Sequence, residues 1–264
     1  MQLLVTRPQP QADTWVRELR AHGVPAHALP LLQIEPAAEP AAHDAWRALE
    51  RYALVMFVSP NAVQSFVALR PAAQAWPART LAGSTGPGTT HALRAAGVPE
   101  ALIVEPERAP ARFDSEALWQ RLRERSWAQA HVLVVRGDGG REWLGEQLRA
   151  AGAQVEFVRT YRRVLPRWSD EQQALAARAL GVPQHTVWLL SSSQATEQLR
   201  QLLPHASWHG AQAWATHERI AQAARALGFG TVRGVAATLQ AVVSEWSRSI
   251  QFNAPSNAPS DQRP

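Results

Sequence analysis

The sequence contains an internal repeat that spans about half its length. Four pairs of segments match in the same order along the chain, and three of the pairs are 129 to 131 residues apart. Chance likeness between αβ units would not preserve that order and spacing, so the repeat indicates an internal duplication. The pairs are "LLVTRP" with "LVVRGD", "LRAHGVPAHALPLL" with "LRAAGAQVEFVRTY", "LVMFVSPNAV" with "VWLLSSSQAT" and "HALRAAG" with "AQAARALG".

Both copies alternate short apolar runs with helical patterns. The run "ALVMFVS" precedes "PNAVQSFVALR", and "HVLVV" precedes "REWLGEQLRAAG". In the first helical pattern Trp15, Val16 and Leu19 share one face, and Gly23 ends the helix. This alternation predicts an α/β fold with crossover helices on parallel sheets. A duplicated chain of this kind predicts two similar lobes, with a ligand site at the carboxyl ends of the strands.

Composition excludes several classes of function. The chain has no cysteine, so thiolate metal sites, disulfides and cysteine nucleophiles are excluded. Its 27 basic residues are all arginines and its net charge is +5, but they form no run typical of nucleic-acid binding. This charge suits a small ligand with several negative charges. Because no apolar run approaches about 20 residues and no signal peptide is evident, we expect a cytoplasmic protein without membrane contact.

Polar residues follow the apolar runs where a helix is about to begin. In a parallel sheet these positions lie at the ligand-binding edge. They are Arg7, Ser59, Thr85, Arg136, Ser191 and Thr216.

The stretch "STGPGTT" is rich in glycine and opens a helix. Gly86, Gly88 and Thr89 would offer backbone amides and a helix N-terminus to an anion. A well-capped turn would have the same sequence. The stretch lacks both the lysine of a P-loop and the full G-x-G-x-x-G spacing, which argues against nucleotide binding.

The segments "VSPNAV" and "LSSSQAT" occupy equivalent places in the repeat. Ser59 and Ser192 suit helix N-caps, and Pro60 suits a first helical turn. The same hydroxyls and amides suit a carboxylate ligand. No G-x-S-x-G motif is present, so no serine nucleophile is predicted. The residues predicted to contact a ligand here are Ser59, Asn61, Ser191, Ser192, Ser193 and Gln194.

The stretch "THERIA" contains His-Glu without the second histidine of H-E-x-x-H, so no metal site is predicted. His217 and Arg219 either meet an anionic ligand or only supply polarity to a helix start.

The stretch "VVRGDGGREWL" resembles a ligand loop. No lysine follows its glycines, which argues against a P-loop, and its repeat partner makes the same strand-to-helix passage without glycine. The glycines, Gly137 among them, are predicted to let backbone amides approach a ligand carboxylate. Arg136 either contacts the ligand or only braces the turn.

The stretch "RTYRRV" places Tyr161 in a strand between arginines. In a regular strand Arg159, Tyr161 and Arg163 would face one way, and Thr160 and Arg162 the other. Without a catalytic role, Tyr161 would pack at a sheet edge with its hydroxyl in water.

Taken in order, the motifs of this chain resemble those of the uroporphyrinogen-III synthase family. They cover nearly the whole chain and are specific in combination. One departure is "THERIA", where many relatives have a turn rich in glycine and threonine, so their threonine contacts do not transfer to Arg219 and Ile220. The motifs are "LVTRP", "LPLLQIEP", "FVSPNAV", "GPGTTHAL", "FDSEAL", "LVVRGDGGREWL", "TYRR", "LLSSSQA" and "HERIAQAA".

The resemblance implies two similar flavodoxin-like parallel-sheet domains with the chain interleaved between them. Residues 1–34 and 167–247 would form one domain and residues 38–163 the other. Two strands, at 35–37 and 164–166, would form the hinge, and residues 248–264 would be a disordered tail.

The resemblance also implies a hydro-lyase that closes hydroxymethylbilane to uroporphyrinogen III with inversion of the last pyrrole ring, using no cofactor or metal. Tyr161 matches the family's catalytic tyrosine, either as an acid or as a hydrogen-bond donor. We also expect a monomer, as is common for two-lobed hinge enzymes of this size, and transient transfer of substrate from hydroxymethylbilane synthase. The alternative is a two-lobed cytoplasmic protein that binds an anion or small molecule without catalysis.

Overall fold

The computed structural model describes residues 1–37, 39–72, 74–107, 115–139 and 142–252. Gly140 and Arg141 of the "RGDGGREWL" stretch, the start of "FDSEAL" and the end of the predicted tail lie outside the described residues. The chain forms two compact units: Met1–Gln33 with the chain from Val164 onward, and Ile34–Arg163. They are called the first and second unit below.

The described residues form eleven β-strands. In chain order they are β1 (Gln2–Val5), β2 (Ala26–Ala28), β3 (Gln33–Pro36), β4 (Leu54–Phe57), β5 (Leu81–Ser84), β6 (Ile103–Val104), β7 (His131–Gly137), β8 (Gln154–Val164), β9 (Thr186–Leu190), β10 (Gln212–Ala215) and β11 (Thr231–Gly234).

Ten α-helices lie within the same residues. They are α1 (Gln11–Ala21), α2 (Pro40–Arg47), α3 (Pro60–Val67), α4 (Pro87–Ala95), α5 (Ser115–Leu122), α6 (Trp143–Ala150), α7 (Asp170–Gly181), α8 (Ser193–Leu202), α9 (Glu218–Leu227) and α10 (Leu239–Phe252). Three short 3₁₀ helices, at Leu49–Arg51, Glu100–Leu102 and Pro183–His185, precede strands.

The sheet of the first unit has the strand order β2-β1-β9-β10-β11, and all four of its pairings are parallel. The sheet of the second unit contains β8-β7-β4-β5-β6 in parallel pairing, with β3 beside β8. Repeat-equivalent strands therefore occupy equivalent sheet positions, in the order typical of flavodoxin-like folds. Because each sheet takes strands from both halves of the chain, the predicted interleaving is confirmed.

Helices cover both faces of each sheet, as a doubly wound fold requires. In β9 the side chains of Val187 and Leu189 pack with α1 and α10, whereas Trp188 and Leu190 pack with α7, α8 and α9. In the second unit one face packs against α2, α3 and α4, and the other against α5 and α6. The strands are apolar on both faces because both are buried.

Most tryptophans belong to these cores. The Trp46 and Phe66 rings stack with centroids 4.8 Å apart, and Trp208 and Phe229 stack at 4.7 Å. No described helix is long and apolar enough to span a membrane. The buried tryptophans are Trp46, Trp76, Trp127, Trp188, Trp208, Trp214 and Trp246.

One expectation about secondary structure is wrong, and one helix was not predicted. The predicted disordered tail begins too early, because α10 continues through residues 248–252. Val242, Trp246 and Ser249 are buried at helical spacing, so the packed face of α10 extends past Arg248. Helix α2 was not predicted, although Ala42, Ala45 and Trp46 form its buried face.

The regular alternation predicted for "RTYRRV" is also wrong. The β7–β8 register pairs Arg136 with Arg159 but Gly137 with Tyr161, so β8 has one extra residue at this point. Thr160 and Tyr161 are consecutive, and both are buried. A β-bulge of this kind re-aims every side chain that follows it.

Candidate active site

Four polar groups meet at the carboxyl ends of β4, β7 and β8 in the second unit. Ser59 follows β4, Asp138 follows β7, and Tyr161 and Arg163 lie near the end of β8. The residues of a parallel sheet come together at this edge because all its strands end there. Within the group, Ser59 and Tyr161 are 102 residues apart in the sequence.

Tyr161 is the centre of the group. Its side chain has no exposed surface and packs in the core with Phe57 and Val158. The hydroxyl lies 3.0 Å from Ser59 Oγ, and it accepts a hydrogen bond from Arg163 Nη2 at 2.9 Å. The alternative for Tyr161, packing at a sheet edge with the hydroxyl in water, is therefore wrong.

Gly137 explains how the tyrosine ring fits beside β7. A Cβ atom on Gly137 would lie 2.6 Å from Cε2 and 2.7 Å from Cζ of Tyr161, closer than carbon atoms approach. The first glycine of "RGDGG" thus makes room for the phenol ring that the bulge turns inward. This packing role differs from the predicted amide contact with a ligand, which stays a prediction.

Asp138 holds the arginine that contacts Tyr161. Its Oδ1 accepts the backbone N–H of Arg163 at 3.0 Å, and its carbonyl oxygen accepts Arg163 Nη1 at 3.1 Å. The guanidinium thereby donates to Asp138 and Tyr161 from two different nitrogens. Sequence reasoning assigned no role to either Asp138 or Arg163, because neither motif in isolation shows that they meet.

Ser59 is the N-cap of α3. Its Oγ accepts the backbone N–H of Ala62 at 3.2 Å, and Pro60 occupies the first helical position, as predicted. Unlike Tyr161, Ser59 is partly exposed. Ser59 therefore connects the buried tyrosine with the surface.

Arg136 braces the strand-to-helix turn. Its Nη2 donates to Glu142 at the start of α6 at 2.8 Å, and its guanidinium lies 4.5 Å from the centroid of the Phe157 ring. Its Nη1 is buried without a hydrogen-bond partner among the described residues. A cavity of about 180 Å³, lined by Arg136, Asp138 and Arg159 among others, lies beside it. Bracing is thus observed, and ligand contact stays a prediction.

The glycine-rich stretch forms the start of α4. Gly86 is the N-cap, Gly88 is exposed in the first turn, and the side chain of Thr89 is buried. The hydroxyl of Thr90 donates to Glu105 Oε2 at 2.7 Å and lies 2.8 Å from Ser84 Oγ. The side chains of Thr89 and Thr90 are thus buried, and contact between this turn and a ligand stays a prediction.

Arg7 is the repeat equivalent of Arg136 in the first unit. Its guanidinium lies 4.1 Å from the centroid of the Trp15 ring, and its Nε is buried without a partner among the described residues. Burial lowers the pKa of Arg7 to about 10, so Arg7 keeps its charge at neutral pH. Both copies of the repeat thus stack an arginine on an aromatic ring at a strand end.

The remaining predicted residues lie at two helix starts of the first unit. Ser192 caps α8 by accepting the N–H of Ala195 at 3.3 Å, and His217 caps α9 by accepting the N–H of Arg219 at 3.1 Å through Nδ1. Ser191 precedes the first cap, while Ser193 and Gln194 begin α8. These residues lie at the carboxyl ends of β9 and β10, as predicted.

The described residues include no group of three or more histidine, aspartate or glutamate side chains placed to hold a metal ion.

A family model described as "Uroporphyrinogen-III synthase HemD" matches residues 13–243. The chain belongs to the uroporphyrinogen-III synthase family. The uroporphyrinogen-III synthase of Escherichia coli (strain K12) is 31% identical over 242 residues, which cover 88% of this chain and 94% of that one. The enzyme of Salmonella typhimurium is 30% identical with the same coverage.

Two solved structures share the fold of this family member. A mutant uroporphyrinogen III synthase from the extremely thermophilic bacterium Thermus thermophilus gives a TM-score of 0.58 at 17% identity and covers 96% of this chain and 99% of its own. The uroporphyrinogen-III synthetase of Helicobacter pylori 26695 also gives 0.58, at 15% identity, covering 94% and 99%. At these identities the likeness shows the fold, and it confirms the predicted two-sheet, interleaved α/β architecture.

Proposed function

We propose that this uroporphyrinogen-III synthase family member closes hydroxymethylbilane to uroporphyrinogen III, with loss of water and inversion of the last pyrrole ring. Family membership over residues 13–243 is the observation that carries the proposal. The nearly full-length likeness to the Escherichia coli enzyme supports it, because the match extends across both units.

The chemistry of the substrate agrees with the residues on the strand ends. Hydroxymethylbilane carries eight carboxylates, which suit a chain with a net charge of +5 and several helix N-termini at these edges. Arg7, Arg136 and Arg219 are the charged members of the proposed substrate-binding set. Arginine suits this task because its guanidinium grips carboxylates through two parallel hydrogen bonds.

Catalysis in this proposal needs few reacting groups. Loss of the terminal hydroxyl as water leaves an azafulvene cation, and the last ring then attacks through its substituted carbon. Closure without this control gives the symmetric type I isomer, so positioning of the bilane determines the product. Tyr161 is the residue we expect to assist departure of the hydroxyl.

The finer predictions form part of the same proposal. They are the domain boundaries, a hinge at 35–37 and 164–166, a cytoplasmic monomer, and transfer of substrate from hydroxymethylbilane synthase. Motion about such a hinge would fold the bilane before ring closure.

A coupled assay tests the proposal. Hydroxymethylbilane is generated in situ, the chain is added at increasing concentration, and the oxidised products are separated as type I and type III isomers. We expect type III to replace type I as the concentration rises. Formation of type I alone at high concentration would show that the chain is not a synthase. Tyr161→Phe should lower turnover at least tenfold while circular dichroism stays unchanged.

A further inference from the structure

We propose that the hydroxyl of Ser59 delivers the proton to the departing hydroxyl group, and that Tyr161 acts behind it as a positioning residue and proton source. This inference rests on the proposed synthase function and assigns the residue that touches the substrate. It follows from the burial of the two side chains and from the number of protons in their hydrogen bonds.

The side chains that carry the two hydroxyls differ in their exposure to solvent. Tyr161 has no exposed surface, and its ring is enclosed by core residues and by the backbone of Gly137. Ser59 is partly exposed and lies 3.0 Å from the tyrosine hydroxyl. A substrate at the strand ends therefore reaches Ser59 without any rearrangement, whereas Tyr161 would first have to leave the core.

The partners of Tyr161 determine where its proton points. The guanidinium of Arg163 has only donors, so the tyrosine oxygen accepts at that contact. The phenol proton then needs an acceptor, and Ser59 Oγ is the one within reach among the described residues. The opposite direction would leave a buried O–H without a partner, which proteins avoid.

The hydroxyl proton of Ser59 has no required acceptor among the described residues. Ser59 Oγ accepts from Tyr161 and from the backbone N–H of Ala62, which uses both of its lone pairs. Among the described residues, no hydrogen bond is formed in which Ser59 must be the donor. Its O–H is therefore available to a substrate oxygen on the exposed side.

The proposed step balances in atoms and charge. The C–O bond of the hydroxymethyl group breaks, and its electron pair stays on oxygen. The Ser59 proton moves to that oxygen and water departs, while the Tyr161 proton replaces the one that Ser59 has lost. The resulting phenolate is stabilised by the guanidinium of Arg163 at 2.9 Å. Ring inversion moves the methylene bridge to the unsubstituted carbon of the last ring, and that carbon then releases its proton, which restores the phenol.

Four variants test this assignment in the coupled assay with hydroxymethylbilane: Ser59→Ala, Ser59→Thr, Tyr161→Phe, and Ser59→Ala combined with Tyr161→Phe. We expect Ser59→Ala to lower kcat about 100-fold, since positioned general acids contribute at least that much. Ser59→Thr keeps the hydroxyl and should stay within about tenfold of the wild type. The double variant should be no slower than Ser59→Ala, because Tyr161 acts only through Ser59.

A matched control distinguishes the effect on kcat of losing the helix cap from the effect of losing the proton donor. Ser169 caps α7 in the same manner and is exposed, so Ser169→Ala removes a cap and should leave kcat unchanged. If Ser59→Ala fails to fold, Ser59→Gly replaces it, because glycine is tolerated at N-caps.

A proton inventory gives a readout that a structural role would not change. For the wild type, kcat plotted against the deuterium fraction of the solvent should curve, since two protons move in one step; the curvature should be absent in Tyr161→Phe. Near wild-type kcat for Ser59→Ala, or multiplied losses in the double variant, would overturn the inference. If the wild type forms the type III isomer in the same experiment, the synthase function stands and only the role assigned to Ser59 is overturned.

Discussion

Gly137 and Tyr161 face each other across the β7–β8 pair, and the phenol ring fills the space that a side chain on Gly137 would occupy. The bulge at Thr160 turns the ring to this side of the sheet, and the glycine makes the position available. Together they determine that the tyrosine hydroxyl meets Ser59 and Arg163 instead of solvent.

We predict that Gly137→Ala displaces the ring of Tyr161. The new methyl group would overlap the ring, so the free energy of unfolding should fall by about 1–3 kcal/mol and turnover should fall with it. Urea denaturation and the coupled assay measure the two effects. Gly181→Ala is the control, because no atom lies within 4 Å of its added Cβ. Equal stability of Gly137→Ala and the wild type would contradict the packing argument.

The role of Arg163 is expected to depend on the planar arrangement of its guanidinium nitrogens as well as on its charge. One nitrogen donates to the Asp138 carbonyl and another to the Tyr161 hydroxyl. The single ammonium group of lysine does not reproduce this geometry. Arg163→Lys should therefore lower turnover about tenfold and the free energy of unfolding by about 1–3 kcal/mol. Wild-type values for both quantities would show that charge alone is sufficient.

Arg136 is predicted to contribute to binding of the carboxylated product. Arg136→Ala should raise the Kd of uroporphyrinogen about tenfold at low salt, which corresponds to about 1.4 kcal/mol. The difference should shrink as salt is added, because the attraction is electrostatic. Arg47→Ala removes an exposed arginine paired with Asp44 and is the control. An unchanged Kd for Arg136→Ala would restrict Arg136 to bracing the turn.

Stability is predicted to depend on pH through His27 in β2. Burial first, and then the charges of Arg20 and Arg178, lower the pKa of His27 below 6.5. The unfolded chain then binds a proton more readily than the folded chain does. This contribution is fully present above pH 6.5 and is lost as pH falls through the lower, folded pKa.

Urea titrations at pH 7.5 and 5.5 measure the effect. His27→Gln should reduce the loss of stability between the two pH values, and Arg178→Gln should reduce it in part by removing one of the cations. An identical loss in the wild type and His27→Gln would show that other groups cause it.

Much of the fold could be predicted from local patterns. The apolar runs, the helical periodicity and the caps at Ser59, Ser192 and Gly23 are properties of short segments, and they agree with the structure. Three of the four repeat pairs correctly matched equivalent strands, and the fourth matched the equivalent helices α4 and α9. Interleaving followed from the family resemblance and not from the repeat, because a strand that is apolar on both faces does not encode its neighbour.

The candidate site was predicted only in part. Tyr161 and Ser59 were identified singly, and their contact was not predicted. Asp138 and Arg163 lay inside motifs that drew attention for other reasons. The bulge was missed because one extra residue in "RTYRRV" leaves no mark in the alternation of polar and apolar letters.

The sequence by itself determined the αβ units, their duplication, their helix caps and the family to which the chain belongs. The units and caps are properties of short segments, whereas the duplication and the family are recognised from motifs along the whole chain. The tertiary structure alone decided that Gly137 lies opposite Tyr161, that Asp138 fixes Arg163, and that Ser59 rather than Tyr161 is exposed. Strand pairing and burial join residues far apart in the sequence, and they depend on the packing of the whole sheet rather than on any one segment.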